Sequence, residues 1–148
     1  VHIIIGSDHA GFRLKQELLP ELNKSGIEIE DVGSFDPDPV DFPDIAWAVC
    51  QKVRSTPGSR GLLVCGTGVG AVIAANKIKG IRAAVCHDAH SAHQSVEHDD
   101  VNVMCLGAQI VGPWLAIDLI NAFLAAEFVT DPDFVRRVDK LAALEQTE

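Results

Sequence analysis

The chain has 148 residues, 47% of them hydrophobic and 22% charged, a balance that fits one folded domain and excludes a disordered chain. Twelve Lys and Arg against twenty-one Asp and Glu leave a net charge of −9. That charge repels polyanions, so nucleic acid and anionic membrane surfaces are not expected partners, although a small anion site stays open.

Four cysteines, Cys50, Cys65, Cys86 and Cys105, are too few for a disulfide scaffold and point to a reduced, cytoplasmic protein. The longest apolar stretch, 114–129, is broken by Asp118, Asn121 and Glu127, which predicts no membrane span. Val1 in first place reads as a lost initiator methionine. One domain over 1–148 is expected, since no linker or internal repeat divides it.

Residues 1–6 (VHIIIG) are a β-branched run ending in glycine, and Phe12, Leu14, Leu18, Leu19 and Leu22 then repeat at helical spacing up to a left-handed cap at Gly26. Residues 27–32 (IEIEDV) alternate as a half-exposed strand does. The prolines and aspartates of 33–43 predict a true loop. A helix is expected over 44–53, a strand over 60–65 (RGLLVC), and a short helix over 72–79 after a glycine-rich turn. A fourth strand is expected at 81–86, a polar helix at 87–99 and a fifth strand at 101–106. A long apolar helix over 112–128 and a last helix over about 131–145 complete the chain. The alternation predicts a doubly wound, Rossmann-like α/β fold: five parallel strands with helices on both faces.

Ligands of such sheets bind beyond the carboxyl ends of the strands. Four segments qualify: Ser7, Asp8 and His9; residues 65–70; His87 and Asp88; and residues 107–109. In residues 65–70 (CGTGVG) a strand ends in a thiol, and Gly66, Gly68 and Gly70 let backbone N–H groups approach a ligand at a helix start. Such a nest suits a phosphate or a developing oxyanion, and a thiol there is expected below its ordinary pKa of about 8.5. The plain alternative is a buried strand cysteine before a tight turn.

Gly66, Gly68 and Ala71 also fit G-x-G-x-x-A, with Asp88 about twenty residues on. This leaves open a non-catalytic nucleotide- or sugar-binding module, against which stands the position of the motif at the third strand. His87, His90, His93 and His98 crowd into twelve residues, so a metal site is conceivable, but a solvated polar helix is the simpler reading and no metal or other cofactor is expected. Asp8 and His9 are candidates for a substrate clamp or acid–base pair.

Four ordered motifs, 6–12 (GSDHAGF), 65–77 (CGTGVG with AANK), 80–88 (GIRAAVCHD) and 97–108 (EH, NV and CLGA), resemble the ribose 5-phosphate isomerase type B family, to which galactose 6-phosphate isomerase subunits also belong. The resemblance runs over nearly the whole chain. It implies a metal-independent aldose–ketose isomerase of pentose phosphate or related carbohydrate metabolism, working through a cis-enediol. Cys65 matches the family's base, Thr67 and the N–H groups of Gly66, Gly68 and Gly70 the enediolate-stabilising loop, and His98 the ring-opening residue. Asp8 and His9 match groups that contact the ring-opening end or the phosphate. Some relatives place a Glu base just after the third glycine, where this chain has Ala71.

The family also implies a homodimer or homotetramer with a site shared between subunits, the last helix packing on a partner. Two departures bear on the substrate. The family reads His–Asn where this chain has His98–Asp99, and Arg–His–x–Arg–Arg where it has Asp133, Phe134, Val135, Arg136 and Arg137. Of the two phosphate-holding arginines the last survives as Arg137, the first is Asp133, and Arg136 is the candidate to compensate. Carboxylates at Asp99 and Asp133 cost charge-assisted pairs and add repulsion. The substrate is therefore expected to be a sugar phosphate held differently, or a shorter or unphosphorylated sugar, rather than simply ribose 5-phosphate.

Overall fold

The structure, a computed structural model, describes residues 2–147. Val1, which the sequence pattern places in the first strand, lies outside the described residues. Eleven elements follow in order: β1 (His2–Ser7), α1 (Phe12–Lys24), β2 (Glu28–Asp31), α2 (Phe42–Ser55), β3 (Arg60–Cys65), α3 (Val69–Asn76), β4 (Ala83–Val85), α4 (Ala89–Asp99), β5 (Val103–Gly107), α5 (Pro113–Ala125) and α6 (Pro132–Leu144). The strands form one parallel sheet in the order β2-β1-β3-β5-β4.

The period-two alternation of the central strands divides the core between the two faces. Ile3 and Ile5, Leu62 and Val64, and Met104 and Leu106 point to one face, where they meet Leu14, Leu18 and Leu22 of α1, Val96 of α4 and Leu119 and Phe123 of α5. Ile4, Leu63, Val103 and Cys105 point to the other, against Ala46, Val49 and Val53 of α2 and Ala71 and Ala75 of α3. Both faces of the middle strands are buried, which is why they read as unbroken apolar runs. β2 and β4 are edge strands. Asn76 closes part of the β4 edge as a neighbouring strand would, accepting from the Ala83 N–H (2.8 Å) and donating to its carbonyl (2.9 Å).

Element limits differ modestly from those the sequence predicts. Pro43 stands in the first turn of α2, so that helix starts at Phe42. Gly68, at φ 83°, takes the left-handed turn that opens α3 at Val69, three residues before the predicted start. Gly26 has φ 74°, as a left-handed terminator after α1 requires. All four cysteines are free thiols. Among the described residues no helix is long and apolar enough to cross a membrane.

Candidate active site

The carboxyl ends of β1, β3 and β5 converge around Cys65. Its Sγ donates to Asp8 Oδ2 at 3.4 Å, while Asp8 Oδ1 accepts from the Gly11 N–H at 3.0 Å, so a largely buried carboxylate is clamped between the thiol and the start of α1. Contact is close because Gly11 has no side chain: a Cβ there would lie 2.0 Å from the Val64 carbonyl oxygen. Gly107 plays the matching part on β5, where a Cβ would sit 2.8 Å from the Thr67 backbone. The β3–α3 loop is thus wedged between two glycines of neighbouring strand ends.

The N–H groups of Gly66 and Gly68 face the Cys65 sulfur and favour its thiolate, as a helix-start nest should. They do not prevail. Burial, followed by the charge of Asp8 and the hydrogen bond to it, pushes the thiol pKa up, which reverses the lowered value expected from the sequence. Asp8 arrives from a different strand, so the motif around Cys65 alone could not reveal the opposing charge. Thr67 Oγ1 accepts from the Val69 N–H at 3.3 Å, leaving its hydroxyl proton to donate elsewhere.

His9 sits on the rim with its Nδ1 accepting from the Val40 N–H at 3.2 Å, an arrangement that leaves Nε2 free. Two further residues belong to this edge. His87 Nε2 accepts from the Gly107 N–H at 2.9 Å and braces the loop. Gln109 donates its backbone N–H to Gly66 O (2.9 Å), and a Cβ on Gly66 would lie 3.3 Å from the Gln109 Nε2. The strand-end rule selects segments 87–88 and 107–109 and names His87, but nothing in the sequence shows its partner on β5 or singles out Gln109.

The remaining candidates lie elsewhere. α4 leaves the carboxyl end of β4 and runs back for 11 residues, about 16 Å, so its last turn lies toward the amino ends of the strands, away from Cys65. There His98 stacks on Phe134 of α6 with ring centroids 4.3 Å apart, and the Arg137 guanidinium lies 5.9 Å from the same ring. Arg136 pairs with Asp133 at 2.8 Å within α6. Asp99 lines a groove of about 670 Å³ between β4 and α6, with Arg82, Ser95, Leu141 and Leu144.

The chain therefore holds two clusters: Asp8, His9, Cys65, Gly66, Thr67, Gly68 and Gly70 at the carboxyl ends of the strands, and His98, Asp99, Arg136 and Arg137 away from them. Other histidines diverge, with His87 on Gly107 and His93 on Glu97 (3.2 Å). Among the described residues no group of three or more His, Cys, Asp or Glu is arranged to hold a metal ion.

Comparison with known proteins places these clusters in context. The sequence matches the ribose/galactose isomerase family over residues 3–141. It is 44% identical over 126 residues to ribose-5-P isomerase B of Listeria innocua, covering 85% of each chain. It is 41% identical over 129 residues to D-erythrulose-4-phosphate isomerase of Pectobacterium atrosepticum, covering 85% of this chain and 84% of that one. The solved structure of Clostridium thermocellum ribose-5-phosphate isomerase B superposes with a TM-score of 0.94 at 43% identity, over 99% of this chain and 98% of the other.

Proposed function

The chain belongs to the ribose/galactose isomerase family and is an aldose–ketose isomerase, and we propose that Cys65 is the base that carries a proton between C1 and C2 of the sugar. The observation that carries this assignment is the 3.4 Å contact of Sγ with Asp8 above two inward-facing glycine N–H groups. A thiolate there removes the C2 proton from the open-chain aldose. The resulting enediolate oxygen is met by the amides of the loop 66–70 and by the Thr67 hydroxyl; the O2 proton passes to O1, and the thiol returns its proton to C1, so that C2–O2 becomes the ketose carbonyl. Asp8 keeps the thiol protonated at rest. A sugar hydroxyl donating to Asp8 weakens that opposition, so substrate binding itself raises the thiolate fraction.

Ring opening is assigned to His98, supplied by a second copy of the chain. Within one chain Cys65 lies at the carboxyl end of β3 and His98 in the last turn of α4, toward the amino ends of the strands. α6 buries none of its residues, leaving Leu141 and Leu144 exposed, as are Trp47, Val69 and Ile73 on α2 and α3. These apolar side chains suit a homodimer or a larger symmetric assembly in which two half-sites meet. Mixing Cys65→Ala with His98→Ala subunits tests the arrangement. Each variant alone should be inactive, and random reassortment should restore about a quarter of wild-type activity in a dimer, because half the dimers are mixed and each has one intact site. No recovery would refute a shared site.

For substrate, we propose a sugar phosphate bound chiefly by Arg137 and His9, or a shorter sugar, in preference to ribose 5-phosphate. Arg136 can serve a phosphate only by giving up Asp133. A relative named for a tetrulose phosphate supports the shorter substrate. Steady-state rates on ribose 5-phosphate, tetrose phosphates, free ribose and free allose decide it, and a dominant rate on ribose 5-phosphate would defeat the proposal. The family match and the isomerase relatives favour catalysis over a non-catalytic binding module.

A further inference from the structure

Among the described residues Lys15 is the one charged residue with no exposed surface. Its Nζ donates to Asp31 Oδ1 at 2.7 Å and to the Ser34 carbonyl at 2.6 Å, and it lies 5.6 Å from the ring centroids of both Phe12 and Phe35. A buried ammonium is costly unless its protons are taken up, and an apolar side chain would fill the same space more cheaply. The ammonium does something methionine could not: it fastens a carbonyl and a carboxylate of the chain leaving β2 to the first turns of α1. Asp31 Oδ1 also accepts from the Gly33 N–H (3.0 Å). The same turn is laced to the end of β1 by Ser7 N–H to Gly33 O (2.7 Å) and Ser34 N–H to Ser7 O (2.8 Å).

This fastened turn is the stem of an exposed loop whose far end reaches the active site. Val40 gives its N–H to His9, and the Phe42 ring packs on Gly70, where a Cβ would lie 2.8 Å from it. The loop thus touches both His9 and the glycine loop after Cys65, and among the described residues its stem is the only part tied down by a buried charge. We propose that Lys15 is a positioning residue for the isomerase, setting through the 31–34 turn the place of the loop that holds His9 and Phe42 at the substrate. The inference rests on the reading of His9 as a substrate contact.

The test compares Lys15→Met, Lys15→Met/Asp31→Asn and Asp31→Asn with the wild type. The double variant removes the carboxylate that Lys15→Met leaves buried without its cation. Asp31→Asn alone, at a side chain 23% exposed, preserves the fold if the others do not. Amide hydrogen exchange at Ser34 and Val40 should quicken at least about tenfold relative to core amides, while KM rises about tenfold and kcat stays within about threefold. A merely structural role lowers the unfolding midpoint without that split. Wild-type exchange at Val40 in a folded variant overturns the proposal. Faster exchange with unchanged KM overturns the role of Lys15 in the reaction by removing His9 from substrate binding, and leaves Cys65 as base untouched.

Discussion

Substituting Gly11 by alanine puts the close packing around Asp8 and Cys65 to a quantitative test. The backbone at Gly11 has φ −96° and ψ −7°, a negative-φ conformation open to alanine, so the effect comes from what the new Cβ displaces. A Cβ would meet Val64 O at 2.0 Å, Val64 C at 2.3 Å and Cys65 N at 2.8 Å, all of them backbone atoms of a central strand. Reaching ordinary contact requires a shift of about 1.4 Å between the start of α1 and the end of β3. Overpacking of this kind costs about 1–3 kcal/mol, and drawing the Gly11 N–H away from the Asp8 carboxylate adds about 1.5–3 kcal/mol.

With a urea m-value of about 2 kcal/mol/M, the unfolding midpoint should fall by about 1–3 M. Displacing Asp8 and Cys65 by about 1 Å should cost about a hundredfold in kcat/KM. Gly58→Ala is the contrasting case: its φ of +81° strains alanine, but no atom lies within 4 Å of the new Cβ. That change should cost about 1–2 kcal/mol and leave the kinetics alone. A Gly11→Ala protein with the wild-type midpoint and turnover would refute the packing argument.

Asp8→Asn should shift the rising limb of the pH profile of kcat/KM to lower pH, since the proposed base is the Cys65 thiolate and the carboxylate holds the thiol pKa up; an unmoved limb would count against Cys65 as base. Burial pushes Cys50 up from 9.0 to about 12, so the native state keeps a proton that the unfolded chain releases. Its stabilising contribution is complete below pH 9 and is lost as pH rises towards 12, at up to about 1.4 kcal/mol per pH unit, and chemical denaturation of Cys50→Ala across that window should show a shallower decline. Asp133→Arg should lower KM for phosphorylated pentoses about tenfold by removing a repulsive carboxylate and releasing Arg136, and a comparable gain on unphosphorylated sugars would show that the charge does not act on phosphate.

Much of this arrangement was legible from residue order. The apolar runs of β1, β3 and β5 announced a buried parallel sheet, and the CGTGVG turn marked where a ligand would meet backbone amides. What residue order could not supply was proximity across the sheet. The strand order puts β5 between β3 and β4, which lays Gly107 against Thr67 and His87 against Gly107. Neighbourhood on the sheet also sets Asp8 beside Cys65 and reverses the expected direction of the thiol pKa. Lys15 shows the same limit: the sequence pattern of α1 does not distinguish it, and only the turn after β2 shows that its charge is satisfied inside. The separation of His98 from Cys65 follows from the direction of α4, which fixes where its last turn lies.

That separation bears on how the enzyme behaves when dilute. If each working centre draws its halves from two chains, the number of centres follows the number of associated chains, so specific activity falls as the protein is diluted below the dissociation constant of the assembly. A sugar that touches Cys65 on one chain and His98 or Arg137 on the next binds the pair more tightly than either alone, and by mass action draws the subunits together. Substrate concentration would then govern assembly as well as turnover.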